Sequence, residues 1–179
     1  MKIKQSTRRQ DKKTVLRITV MSVFLAMALI IGVVERSIPF NIAVPGVKLG
    51  LSNVVILTLL YLYTPYEVFI VVMLKCFMLA MFSGSFSSLL YSLSGAVLSF
   101  FVMYGAIRLL KNKFSPTGVS ILGAISHNIG QIIAASFVLS TVKLMYALPV
   151  LLISGAITGF IVGITVTKFL LHFKKIYIV

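Results

Sequence analysis

Long apolar runs follow one another along this chain, at about Val15 to Val34, 49 to 63, 66 to 83, 86 to 110, 117 to 140 and 147 to 171, with only short breaks between them. A helix needs roughly 20 apolar residues to cross the ~30 Å hydrocarbon core of a bilayer. Runs of this length leave no polar face for water, so the sequence predicts an all-α, polytopic integral membrane protein. Residues 14–179 form one six-helix transmembrane domain, preceded by a basic cytoplasmic arm over 1–13, disordered or lying on the surface. Composition agrees: 59% of residues are hydrophobic and 11% charged, against about 25% charged in soluble domains. The breaks carry helix punctuation, with Pro39 and Pro45-Gly46 in the first, Thr64-Pro65 in the second, Ser83-Gly84-Ser85 in the third, Ser115-Pro116 in the fourth and Pro149 near the fifth.

The charge is one-sided, with 17 Lys+Arg against 3 Asp+Glu and a formal net charge of +14. In a soluble protein that balance would indicate nucleic acid. Here the basic residues edge the apolar runs, so the partner is the lipid bilayer and no nucleic acid is expected. With six spans both termini share one side, and that side collects thirteen of the seventeen cations, including the arm, Arg17, Arg108 and Lys168. By the positive-inside rule it is the cytoplasmic face of a prokaryotic inner membrane. Ala26-Met27-Ala28 looks like a signal cleavage site, but the apolar run continues past it and later spans follow, so the first helix is retained.

Four cations escape that rule: Arg36, Lys48, Lys75 and Lys143. Lys75 falls near the middle of the third span, roughly 12 Å from its outer end at 1.5 Å per residue. A central Lys costs about 2.5–3.5 kcal/mol on insertion scales, so it should face a cavity or a partner. A structural ion pair with Glu35 is the plainer alternative. Arg36 and Lys48 flank the segment Ser37 to Val47, which is suited to fold over the bundle as an external lid. In the fifth span His127 and Gln131 share a helix face with Asn128 close by, and Asn53 at the outer start of the second span can join them. Arg36, Lys48, Asn53, Lys75, His127, Asn128 and Gln131 are therefore the candidate substrate-binding residues for a small anionic, partly apolar molecule. Interhelical hydrogen bonding alone would also account for the polar turn in the fifth span.

Enzymatic chemistry is poorly supplied. Asp11 is the only Asp, and Glu35 and Glu67 are expected on opposite sides of the membrane, so no carboxylate pair is available for acid/base work or Mg²⁺. No phosphate-binding glycine loop is present, and no cofactor or metal is expected on this chain. Cys76 is alone and reads as a packing residue.

Small residues recur four apart at Ser22 and Ala26, Ala28 and Gly32, Ser126, Gly130 and Ala134, and Gly155, Gly159 and Gly163, a spacing that lets another backbone approach closely. Most such stripes pack within a bundle; the first-helix pair is the one suited to a partner subunit.

The segments Pro45-Gly46-Val47-Lys48-Leu49-Gly50-Leu51-Ser52-Asn53, Ser94-Gly95-Ala96, Gly123 to Gln131 and Leu152 to Gly159 resemble the family called heptaprenyl diphosphate synthase component I, or the Gx transporter family. That family is similar to the S components of energy-coupling factor (ECF) transporters. The resemblance implies an ECF S-component-like six-helix bundle with an external pocket. It also implies a first helix that docks through Ser22, Ala26, Ala28 and Gly32 onto a coupling transmembrane subunit, with ATP used by two partner ATPase subunits. The alternatives are a non-catalytic membrane subunit associated with a prenyl diphosphate synthase or quinone pathway, and a stand-alone gradient-driven transporter with His127 or Glu35 on a proton route.

Overall fold

The computed structural model describes residues 2–37, 50–110 and 114–177, with side chains over 14–37, 50–109 and 114–172. The described residues are helical and contain no strand: α1 (Lys2–Ser37), α2 (Asn53–Leu62), α3 (Pro65–Ser83), α4 (Phe86–Leu110), α5 (Pro116–Val138) and α6 (Leu148–Tyr177), with a short 3-10 helix, Val142–Ala147, leading into α6. Five segments are long and apolar enough to cross a bilayer: Thr14–Ser37, Pro65–Ser83, Phe86–Leu109, Pro116–Val138 and Val142–His172. The protein is therefore a membrane-embedded helical bundle.

The sequence punctuation sets the helix ends. Thr64 and Glu67 form a capping box at the start of α3, with Pro65 at its first turn, and Gly84 closes it in the left-handed conformation at φ 61°. Ser115 Oγ accepts from Gly118 N at 3.2 Å to cap α5, again ahead of a proline.

The second apolar run becomes a helix of only 10 residues, about 15 Å long and half a bilayer core. Its apolar character extends back to Leu49, but Gly50 takes φ 81° and turns the backbone out of the helix. Among the described residues the bundle thus has five long helices and a buried half-length one, in place of a sixth full span. Non-helical backbone at such depth is tolerated where protein covers it, and six of the ten α2 residues are buried. From Lys2 onward the basic segment before Thr14 has helical backbone continuous with α1. Its Lys, Arg and Gln are good helix formers and no Gly or Pro interrupts them.

Helix α5 is the centre of the bundle and packs most extensively on α4 and α6. Close approach explains the small residues there. A Cβ added at Gly159 would lie 2.8 Å from Ile121 Cα, one at Gly130 would lie 2.8 Å from Ser94 O, and one at Gly163 would run into Thr117. The stripes on α5 and α6 are accordingly internal. By contrast, α1 is the least covered of the five long segments. It packs mainly on α3 and α2, with Phe24 edge-on to Phe169 of α6 at 6.3 Å, and Val15, Ile18, Val23, Met27, Ile30 and Val34 are exposed.

Candidate functional site

The polar residues that the bundle buries gather where α2 begins. Lys75, midway along α3 and 3% exposed, donates from Nζ to Ser52 Oγ at 3.3 Å and to Asn53 Oδ1 at 3.4 Å. Gly50, at φ 81°, turns the backbone just ahead of Ser52 and Asn53. The turn is fixed by Glu35 near the end of α1, whose carboxylate accepts from Gly50 N at 2.5 Å. Glu35 is itself buried. One backbone N–H thus ties the last turn of α1 to the first residues of α2.

His127 and Gln131 on α5 complete the cluster. A Cβ built on Gly50 would sit 3.2 Å from both Asn53 Nδ2 and His127 Cδ2, so the imidazole lies against the turn. His127 Nε2 lies 2.6 Å from Gln131 Nε2. The two side chains are within hydrogen-bond distance of each other, with the donor set by the imidazole tautomer. Helix α4 closes the site from behind at Gly95, where an added Cβ would lie 2.7 Å from Gln131 Cγ and from His127 O. Ser94 Oγ fastens that contact by donating to Gly130 O at 2.9 Å.

The structure therefore brings Asn53, Lys75, His127 and Gln131 together. Asn128 is elsewhere: its Nδ2 donates to Leu151 O at 2.6 Å, against Gly155 of α6. The reason is the 100° step between successive helical residues, which turns Asn128 away from the face that His127 and Gln131 share. Arg36 is half-buried, and its Nε and Nη2 are enclosed without a hydrogen-bond partner among the described residues. Lys48 and the external lid segment lie outside the described residues. Glu35, Gly50, Ser52 and Gly95 are the members that reasoning from residue types passed over as ligand-site components. Gly50, Ser52 and Gly95 stood in the recognisable segments, but only their packing reveals what each position does.

The first-helix stripe divides. Ser22 and Ala26 are exposed, while Ala28 and Gly32 are buried, with Gly32 pressed on the Leu79 side chain of α3. At the opposite end from Glu35, Arg17 pairs with Glu67 at 3.5 Å and covers the Tyr63 ring at 5.8 Å.

Residues 24–170, most of the chain, match the family described as heptaprenyl diphosphate synthase component I. The chain belongs to this family. No curated protein and no solved structure matches it. As a component I protein it combines a membrane bundle with a buried cluster of hydrogen-bonding side chains drawn from four helices and the turn before α2.

Proposed function

We propose that this component I protein is the substrate-capturing membrane subunit, the S component, of an ECF-type ATP-driven importer, and that it is not itself an enzyme. The observation that carries the reading is Lys75: an ammonium at mid-span, buried among Ser52, Asn53 and the start of a half-length helix. Intramembrane cations held in this way mark ligand pathways, and half-helix ends in transporters are where ligands are held. Substrate is a small anionic, partly apolar molecule, met by Lys75 and oriented by Asn53, His127 and Gln131, with Arg36 and Lys48 at the outer mouth. Both termini are cytoplasmic in the inner membrane. The exposed Ser22 and Ala26 pair on α1 is the docking surface for the coupling subunit, whose two ATPase partners use ATP; this chain binds no cofactor.

The family's name supports a second reading, a non-catalytic membrane subunit associated with the other subunits of a prenyl diphosphate synthase. Affinity purification from native membranes, with mass spectrometry of stoichiometric partners, separates the two. The importer reading expects a coupling subunit and two ATPases, lost on Ala26→Leu while the bundle stays monodisperse. Recovery of a synthase without ATPases would replace it with the second reading.

A further inference from the structure

The buried start of α2 holds more donors than acceptors. The Lys75 ammonium gives its hydrogen bonds to two neutral oxygens, Ser52 Oγ and Asn53 Oδ1, and no carboxylate lies within ion-pair distance of it among the described residues. An ammonium only donates, so the Asn53 amide must turn its oxygen toward Lys75. That leaves Asn53 Nδ2, on a residue 6% exposed, enclosed and without a hydrogen-bond partner. Ser52 Oγ, having accepted from Lys75, keeps its own hydrogen to give. The backbone adds nothing, because the N–H groups of Asn53, Val54 and Val55 already bond to Gly50 O, Leu51 O and Ser52 O at 2.9, 3.1 and 3.3 Å. Gly50 N is taken by Glu35.

We infer that this point binds the carboxylate of the ligand, received by the remaining Lys75 hydrogen, the Ser52 hydroxyl and Asn53 Nδ2. The inference rests on the reading of this cluster as the substrate pocket and narrows its substrate class to carboxylic acids. Among the described residues the one cation hydrogen-bonded at this point is Lys75, which a single negative charge neutralises. A carboxylate brings one charge and about four lone-pair sites on two oxygens, which three donors answer. A phosphate monoester brings about −1.5 to −2 and a diphosphate more. In a site this dry, surplus charge without a partner costs several kcal/mol by general estimates of ion burial.

The test uses the full chain in lipid nanodiscs and four probes sharing an apolar tail but not a head group: octanoate, octanamide, octyl phosphate and geranyl diphosphate. Equilibrium dialysis should find octanoate bound at least about tenfold more tightly than octanamide or octyl phosphate, as expected for a charge-assisted hydrogen bond. Lys75→Met should bring octanoate down to the octanamide level, and Asn53→Ala should weaken octanoate alone. If Lys75→Met does not fold, the wild-type ranking still decides. Octanoate no better than octanamide, or either phosphorylated probe bound more tightly than octanoate, overturns the inference. Should that happen while the ATPases still co-purify, the importer reading survives and only the head group is wrong. If octanoate binds as stated but no ATPase is recovered, the carboxylate site stands and the importer reading falls.

Discussion

The two sides of the bundle bury polar groups in different ways. Along the seam of α5 with α4 and α6, backbones touch through glycine, and polar side chains act as fasteners, as Ser94 does on Gly130 O and Asn128 on Leu151 O. Around the start of α2, charges are buried instead, backbone regularity is broken, and a donor is left over. The first pattern makes a rigid wall. The second leaves the Asn53 amide N–H without an acceptor among the described residues, at a cost of about 1–3 kcal/mol.

The seam is the easier of the two to break. Gly159→Leu would drive a side chain into Ile121 Cα and should cost about 3 kcal/mol, read as loss of the monodisperse peak after detergent extraction. Gly105→Leu, at a glycine where an added Cβ meets nothing within 4 Å, is the control and should leave the peak intact. At the polar end the effect is smaller and more local. Gly50→Ala puts a Cβ on a residue at φ 81°, a strain of about 1–2 kcal/mol, and crowds Asn53 Nδ2 and His127. A lowered melting temperature with the bundle still folded would fit; an unchanged one would mean that the turn relaxes. Smallest is Glu67→Gln, which keeps the capping box but removes the charge facing Arg17. That exposed pair should be worth less than about 1 kcal/mol, and its loss should vanish at high salt. A large effect there would make the Arg17 end a structural anchor.

Much of the bundle is legible in the sequence because membrane helices must satisfy their own backbones and end at Pro, Gly and capping residues. Thr64-Pro65, Gly84 and Ser115-Pro116 all fall where the chain turns. The shortness of α2 is not legible, since the apolar run begins at Leu49 while the helix begins at Asn53, after a turn at Gly50 with φ 81°. Within the site, the odd placement of Lys75 is visible from charge alone, and the shared face of His127 and Gln131 from their spacing. That Ser52 is what Lys75 reaches depends on helix rotation and on long-range packing that residue spacing does not encode.

The depth of Lys75 has an electrical consequence. It lies eight residues before Ser83 on α3, about 12 Å along the helix, so an anion reaching it from the Ser83 end passes through roughly two fifths of a ~30 Å core. A full charge across a membrane is worth about 2.3 kcal/mol per 100 mV, which makes this partial passage worth about 1 kcal/mol. In the orientation we propose, with the Ser83 end outside and the cell interior negative, voltage would oppose entry of an anionic substrate, and capture would weaken as polarisation grows.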